Sequence, residues 1–522
     1  MGDFFKVNRI QHLTKINHTG KGIRLSIATL LKRNSFPVLL LFGLAIRLPG
    51  ISSRPIWYDE AFSILFSGKG LGAMIYGTLT STGAGAADIH PLGYYTLLWI
   101  WMQVFGTSLI AVRILSIIAG VATVGLAYLL ARELFNEKLA VLTGVFVALA
   151  PFQVHYSQEI RMYSFLAFWL MLATYAFVRA AKKRGIKWWL IFAISSALAQ
   201  YTHNLAAFYL MPLALTPLFR KDWKSLIAVT LSGLGALLLY LPWLLYIPGQ
   251  FTKISTAYWI ARPGIEKIFT LLLVYVTNLP LPNGLLFVSL FIALVVVSIA
   301  ILQTFHRNNH NSNAQWLLYL SFTPPLLLFL FSQWVPVYIE RVLLPSGVIF
   351  CIWLAWALFD GSLPGVVRNG LTILLLVGVV IGLYQNLTYK GFPYAPYREL
   401  DAFLNSEYDD GDIIIHSSKL TLLPAVYYDR DFPQVFIADQ LGSGVDTLAL
   451  ATQQVLGLEA RADMEGAVGK AGRIWFIIFD QSIQEYTQAG EQTHPQLSWL
   501  TAHYSLLKIQ KFGDLGVYLF SG

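Results

Sequence analysis

Long apolar runs separated by short polar segments recur from Phe36 almost to Tyr389. Runs of this length are typical of helices that cross a bilayer, because about 20 apolar residues span its hydrocarbon core. The pattern changes twice: a long polar interruption covers residues 47–91, and after residue 389 helical runs alternate with short strand-like runs. The strand-like runs lie at residues 412–416, 434–438, 473–479, 504–508 and 516–520. The pattern therefore predicts an all-α polytopic membrane protein with a small C-terminal α/β domain.

Eleven spans are predicted when the basic clusters are kept on the cytoplasmic side. They lie near residues 34–50, 110–131, 139–154, 161–180, 187–203, 205–219, 225–247, 284–304, 315–333, 342–359 and 368–387. The run 91–106 is short for a crossing, and its crossing would put the basic cluster 179–187 outside. It is therefore predicted to lie along the outer interface as an amphipathic or re-entrant helix, and the piece 266–280 is also predicted to be interfacial.

The same rule predicts the sides of the domains. Residues 1–33 carry seven Lys or Arg residues and one acid, which predicts a cytoplasmic N-terminus. An odd number of spans then places residues 390–522 outside the cytoplasm. The predicted organisation is a basic tail, a transmembrane module over 34–389 whose first outer loop covers 50–90, and an extracytoplasmic α/β domain.

Composition narrows the class of protein. Hydrophobic residues make up 56% of the 522 residues and charged residues 12%, and the mean hydropathy is +0.59, which excludes a soluble protein because soluble chains are about one quarter charged. The net charge of +9 lies in short clusters between apolar runs, as orientation signals do, so no nucleic-acid partner is predicted. The single cysteine, Cys351, lies inside an apolar run and is predicted to be a core residue.

The outer loop carries the first candidate chemistry. Asp59 and Glu60 follow the first apolar run, and Asp88 and His90 precede the next. Ionisable groups held against a bilayer are costly and are usually kept for chemistry or transport. The simpler interpretation is that the two adjacent acids stabilise a helix N-terminus. Arg47, at the end of the first run, is expected to extend to the outer interface.

Further ionisable side chains stand at other predicted outer boundaries: Arg113, Glu159, Arg161, His203 and Arg341. Each also has a structural interpretation. Glu159 and Arg161 could form an interfacial ion pair, Arg341 could be neutralised by its neighbouring acid, and His203 could be an interhelical hydrogen bonder.

Six motifs in order resemble a known family. They are W-Y-D-E-A at 57–61, D-I-H-P-L-G-Y-Y at 88–95, A-V-R-I-L-S at 111–116, S-Q-E-I-R-M-Y at 157–163, Y-T-H-N at 201–204 and R-V-L-L-P at 341–345. Over roughly residues 36–390 the chain resembles the GT-C fold membrane glycosyltransferases. The branch is that of the protein O-mannosyltransferases and lipid A aminoarabinose transferases, similar to bacterial glycosyltransferase family 39.

The resemblance implies a hexosyl- or pentosyltransferase of a bacterial inner membrane. It would move a monosaccharide from a polyprenyl-phosphate donor to a protein, lipid or glycan acceptor on the outer side, with inversion. Asp59 would be the base and Glu60 its helper. Phosphate would be held by arginines, whose planar fork pairs with phosphate oxygens. The implied roles are donor-phosphate binding for Arg113, Arg161 and Arg341, and substrate binding or support for Asp88, His90, Glu159 and His203.

No metal site and no other cofactor is predicted, because the chain has no tight ligand spacing such as H-x-x-x-H, although its acids and histidines offer ligands that a divalent ion would accept. Two alternatives stay open. A transporter or flippase for a lipid-linked sugar should show repeated halves and broken mid-membrane helices, which the chain does not display. A polysaccharide ligase or polymerase would depend on arginine and histidine in one large loop rather than on an Asp-Glu pair.

Overall fold

The computed structural model describes residues 34–80, 90–183, 185–250, 260–306, 311–439, 447–488, 490 and 492–522. Up to residue 388 the regular elements described are helical. They are α1 (Ser35–Arg47), α2 (Tyr58–Ser67), α3 (Leu71–Leu79), α4 (Gly93–Phe105), α5 (Leu109–Leu134), α6 (Glu137–Leu149), α7 (Pro151–Ser157), α8 (Tyr163–Lys183), α9 (Ile186–Thr202), α10 (Ala207–Phe219), α11 (Trp223–Leu244), α12 (Glu266–Val276), α13 (Asn283–Phe305), α14 (Ser312–Phe331), α15 (Leu344–Phe359) and α16 (Gly365–Thr388). Short 3₁₀ turns, Asn204–Ala206 and Glu340–Leu343, precede α10 and α15.

Each of the eleven predicted spans coincides with a helix, because local hydropathy marks buried and lipid-facing helices alike. Within the described residues, however, 7 helices are long and apolar enough to cross a membrane, or 8 if the bent pair α6–α7 is one span. The helices α1, α9 and α10 are shorter, at 13, 17 and 13 residues. An integral membrane protein is confirmed, and the count of eleven crossings is not.

The bend between α6 and α7 explains why Arg47 does not extend to the interface. The two helices meet at 58°, and Pro151 has no N–H to bond the carbonyl of Val147. The fully buried guanidinium of Arg47 donates instead to the carbonyls of Ala148 at 3.1 Å and Val147 at 3.4 Å. Carbonyls freed in apolar surroundings need such donors, so the expectation of an interfacial Arg47 was wrong.

The short helices α2, α3 and α4 follow α1; α2 packs on both of the others, and α4 packs on α5 and α9. α4 spans 13 residues, in agreement with the prediction of a helix too short to cross. Gly93 at its start lies against α9 so closely that a Cβ would stand 2.5 Å from the carbonyl oxygen of Tyr201. Glycine therefore lets α4 seat its first turn on the end of a membrane helix.

The C-terminal part forms one six-stranded sheet of order β3-β2-β1-β4-β6-β5. Its elements are α17 (Tyr397–Glu407), β1 (Ile413–His416), α18 (Lys419–Tyr428), β2 (Gln434–Ile437), α19 (Leu450–Leu456), β3 (Ala460–Arg461), α20 (Met464–Val468), β4 (Arg473–Phe479), α21 (Asp480–Gln488), α22 (Pro495–His503), β5 (Ser505–Phe512) and β6 (Leu515–Ser521). β3, β2, β1 and β4 pair in parallel, and β6 pairs antiparallel with β4 and β5. The predicted α/β architecture is confirmed; only β3, two residues long, had no strand signal in the sequence.

Both faces of this sheet are covered. A core around Ile414 and Trp475 packs under α17, and a second around Ile415 and Phe476 packs under α20 and α22. The domain also contacts two of the short helices, because α18 packs on α2 and α19 packs on α3. The α/β domain is thus seated directly on the helix that carries Asp59.

Candidate active site

Glu60 and Arg113 form a closed ion pair beneath the outer loop. Both side chains have an exposed fraction of 0%, and the carboxylate accepts from Arg113 Nε at 3.2 Å and Nη2 at 3.0 Å. The remaining N–H groups of Arg113 point at the carbonyls of Ile51, Arg54 and Pro55, at 2.9, 2.9 and 3.4 Å. A guanidinium has five N–H donors, and all five are used here. This geometry argues against the donor-phosphate role predicted for Arg113.

Asp59, the residue before Glu60, is less deeply buried than Glu60. Its Oδ2 accepts from Arg341 Nη1 at 2.8 Å and lies 3.7 Å from Arg161 Nε. The side chains of Asp59 and Arg341 keep exposed fractions of 12% and 16%. Residues from three distant parts of the chain therefore meet at one carboxylate, which is partly exposed to solvent.

Aromatic rings hold the two arginines. The Arg341 guanidinium lies over the rings of Trp57 and Tyr163, with its Cζ 5.6 and 5.2 Å from the ring centroids. Arg161 Nη1 donates to Tyr95 Oη at 3.1 Å and to Ser63 Oγ at 3.3 Å. Stacking fixes the plane of a guanidinium without using its N–H donors, so Arg341 keeps its hydrogen-bonding capacity.

The turn between α7 and α8 links the two acid–arginine groups. The backbone N–H of Ile160 donates to Glu60 Oε1 at 3.1 Å, and the next residue, Arg161, faces Asp59. The preceding residue, Glu159, is buried and accepts from Tyr394 Oη at 3.1 Å. Burial alone would raise the pKa of Glu159, but His155 and nearby arginines outweigh it and lower that pKa to about 2. Glu159 is thus a fixed negative charge of this turn.

A cavity of about 360 Å³ lies beside the site, among α9, α10 and α11. Its wall is mainly apolar, and its polar residues include His90, His203 and Asn204. The imidazole rings of His90 and His203 meet edge to face at 5.1 Å. The cavity adjoins the site because His203 contacts the ring of Tyr163 at 6.0 Å. Such mostly apolar cavities with few polar groups are the usual form of ligand sites.

The structure thus divides the described residues predicted for the site into four groups. Asp59, Arg161 and Arg341 meet directly, Glu60 and Arg113 close beneath them, and Glu159 lies on the connecting turn. His90 and His203 line the neighbouring cavity instead. Asp88 lies outside the described residues.

Three polar side chains around Glu159 were missed by sequence reasoning. Arg54 Nη2 donates to Tyr394 Oη at 2.6 Å and lies 3.5 Å from Glu159 Oε1. His155 Nε2 lies 3.4 Å from the same carboxylate oxygen. His155 could have been found, since an ionisable residue inside an apolar run is a functional signal. Tyr394 had no local signal, because it stands in a tyrosine-rich segment after the last membrane helix.

The fold and the site define a class: an integral membrane protein whose acids and arginines gather at one end of its helices. Residues 89–246 match the family model described as dolichyl-phosphate-mannose-protein mannosyltransferase. An undecaprenyl phosphate-alpha-4-amino-4-deoxy-L-arabinose arabinosyl transferase of Pseudomonas aeruginosa (strain UCBPP-PA14) is 27% identical over 165 residues, which is 30% of each chain. The same-named protein of strain PAO1 is 29% identical over 166 residues. The match therefore spans about 30% of the length of these curated relatives.

Solved structures extend the likeness to nearly the whole fold. ArnT from Cupriavidus metallidurans in the apo state superposes with a TM-score of 0.61 at 12% identity, covering 95% of this chain and 98% of that one. The Archaeoglobus fulgidus oligosaccharyltransferase in the apo form gives 0.51 at 13% identity, covering 95% and 75%. Together with the family match, these findings confirm the resemblance to the GT-C membrane glycosyltransferases.

Proposed function

We propose that this protein transfers a monosaccharide, by inversion, from a polyprenyl-phosphate donor to an acceptor on the extracytoplasmic side of the membrane. The observation that carries the proposal is one reachable carboxylate, Asp59, contacted by two arginines beside an apolar cavity. The partial relatives are named as transferases that use an undecaprenyl-phosphate sugar, and a second crystal structure of Cupriavidus metallidurans ArnT holds undecaprenyl phosphate. Both are consistent with this class of donor.

Asp59 is the proposed base. The acceptor oxygen attacks the anomeric carbon, the bond from that carbon to the phosphate oxygen breaks, and the acceptor proton passes to the Asp59 carboxylate. A single displacement needs one such carboxylate, whereas a retaining hydrolase needs two. The neighbouring acid, Glu60, is fully buried and paired with Arg113, so we assign it to holding the loop rather than to proton transfer.

Arg341 and Arg161 are the proposed phosphate ligands. The negative charge of the departing lipid phosphate has to be held without a proton transfer, and guanidinium groups do this well. Arg341 uses Nη1 for Asp59 and is otherwise stacked between rings, so N–H donors remain for phosphate oxygens. Arg113 is assigned with Glu60 to the support of the loop.

The cavity beside the site suits the first isoprene units of the donor. Val337 and Ile339 line it, and Arg341 follows two residues later on the same segment. A lipid chain entering between α10 and α11 would therefore bring its phosphate to the arginine. His90 and His203 lie where the cavity approaches the site and are the proposed contacts to sugar or phosphate.

The proposed orientation keeps the basic tail, residues 1–33, in the cytoplasm and the loop 50–90 and domain 390–522 outside, in a bacterial inner membrane. Ser53 is exposed in the loop and offers a test. A cysteine placed there, in a Cys351→Ser background, should react with an impermeant thiol reagent added to intact cells. Reaction only after permeabilisation would contradict the proposed orientation.

The function is tested by incubating membranes with radiolabelled polyprenyl-phosphate sugars of several kinds. The parent protein should release polyprenyl phosphate and label an acceptor with at least one donor, and Asp59→Asn at equal abundance should not. Asp222→Asn is a matched control, since that acid caps α11 away from the site. Transport of an unaltered donor across vesicles, with no transfer, would favour the flippase alternative instead.

A further inference from the structure

Tyr394 joins the α/β domain to the candidate active site. It stands between α16 and α17, where the chain leaves the last membrane helix, and its side chain is buried. Three residues later Tyr397 enters the core under the sheet. Tyr394 is therefore held by the domain on one side and contacts the turn 158–162, between α7 and α8, on the other.

The hydroxyl of Tyr394 makes three polar contacts. It accepts from Arg54 Nη2 at 2.6 Å, donates to Glu159 Oε1 at 3.1 Å and lies 3.4 Å from His155 Nε2. Burial raises the pKa of Tyr394, so the phenol keeps the proton that it donates. Glu159 precedes Ile160, whose N–H meets Glu60, and Arg161, which faces Asp59. One hydroxyl thus sits at the start of the turn that places both acids.

The ring of Tyr394 reaches the same site by a second path. Its centroid lies 5.9 Å from that of Trp57, the residue directly before α2. Trp57 in turn lies under the Arg341 guanidinium at 5.6 Å. Ring and hydroxyl therefore contact the supports of Arg341 and of Arg161, the two cations that flank Asp59.

Two other residues of the α/β domain contact the short helices α2 and α3. Lys419, in the first turn of α18, lies with its Nζ 5.2 Å over the ring of Tyr58, next to Asp59 in sequence. Thr452 Oγ1 in α19 donates to the carbonyl of Gly77 at 3.2 Å. The helix that carries Asp59, α2, and the next helix, α3, are thus both in contact with the α/β domain.

We infer that Tyr394 is a positioning residue for sugar transfer, and that the α/β domain, through it, is a working part of the active site rather than only a cover or an acceptor-binding module. The inference rests on the proposed function. Tyr394 touches no reacting atom; it fixes the turn 158–162 and the indole of Trp57, and these fix Arg161 and Arg341 around Asp59.

The test compares Tyr394→Phe with Tyr397→Phe in the full-length protein. Both changes remove one buried hydroxyl from the same segment, but the hydroxyl of Tyr397 meets only the carbonyl of Leu420, at 3.4 Å, among the described contacts. Tyr394→Phe should lower kcat about tenfold, the usual effect of losing one hydrogen bond to a charged group. The KM for donor and the unfolding temperature should stay close to parental, and Tyr397→Phe should leave kcat unchanged.

Two further measurements separate positioning from general loss of structure. Hydrogen exchange of the Ile160 amide should be faster in Tyr394→Phe than in the parent or in Tyr397→Phe, and this readout needs no donor. Glu159→Ala removes the acceptor of the Tyr394 hydroxyl, so Tyr394→Phe should lower kcat less in that background than in the parent, and the losses in the double variant should not add.

A parental kcat in Tyr394→Phe would overturn the inference, as would equal losses in both phenylalanine variants or additive losses in the double variant. If the parent itself transfers sugar from no donor, the proposed function fails instead. The exchange comparison then decides by itself whether Tyr394 holds the turn.

Discussion

Two acid–arginine clusters lie side by side in this protein, and they differ in what their arginines have left to bind. In the first, Glu60 and Arg113 have exposed fractions of 0%, and every N–H of the arginine is engaged. In the second, Asp59 and Arg341 are partly open, and the arginine is held by ring faces. An acid–arginine pair is therefore completely buried in one cluster and partly exposed to solvent in the other.

The physical reason is the free-energy cost of a buried N–H group that has no hydrogen-bond acceptor. A buried guanidinium has to satisfy its donors within the protein, and the loop carbonyls of Ile51, Arg54 and Pro55 do this for Arg113. A guanidinium at a water-accessible surface can leave donors to solvent until a phosphate replaces the water. Accessibility, more than charge, separates the two clusters.

The largest expected effect distinguishes the two adjacent acids. Asp59→Asn should lower kcat about 10²–10⁴-fold, the usual contribution of a general base, while abundance and unfolding temperature remain near parental. Transfer assays with purified protein, at equal amounts, measure this. A near-parental rate would remove Asp59 as the base and direct attention to another outer carboxylate.

Removing one partner of the Glu60–Arg113 pair should lower the stability of the protein more than it changes the rate of transfer. Glu60→Gln or Arg113→Met leaves one buried charge without its partner, which costs about 3–5 kcal/mol. Thermal unfolding in detergent should show a clearly lower midpoint for either variant, with less protein in the membrane. Stable, abundant protein with a selective loss of donor binding in Arg113→Met would return that residue to the phosphate site.

A smaller effect is expected at Arg341. Arg341→Ala should raise the KM for the polyprenyl-phosphate donor about tenfold or more, because a charge-assisted hydrogen bond is lost. Arg341→Lys keeps the charge and should have a smaller effect, although its ammonium cannot pair bidentately or stack as a planar group. Negligible and equal effects of both changes would place the phosphate elsewhere.

The smallest effect is expected from removing divalent ions. Two guanidinium groups already face the position proposed for phosphate, so transfer should proceed at an unchanged rate after treatment with a chelator. The absence of a metal requirement remains a prediction. Loss of transfer with EDTA and its recovery on adding a divalent ion would show that the arginine pair does not act alone.

The hydropathy pattern predicted much of the fold because helices and strands are each marked within a short stretch of sequence. A helix coincides with each of the eleven predicted spans, and alternating strand and helix patterns located five of the six strands. Pattern could not decide the number of crossings, because short helices such as α1, α9 and α10 give similar hydropathy whether they cross or pack inside. The pattern could not predict the burial of Arg47 either. Its guanidinium donates to carbonyls that Pro151 leaves unbonded, and these lie about a hundred residues away in the sequence.

The sequence by itself determined that this is a membrane protein with an α/β domain, and that its ionisable residues stand at the ends of apolar runs, where Asp59 is found. Only the tertiary structure decided that the N–H groups of Arg113 are all engaged while Arg341 is partly exposed, and that Tyr394 contacts Glu159 in the turn 158–162. Residue type and hydropathy are properties of a short window, whereas the satisfaction of a donor depends on atoms that folding brings from distant segments. Arg113 and Arg341 occupy similar boundaries in the sequence, and their partners make them different.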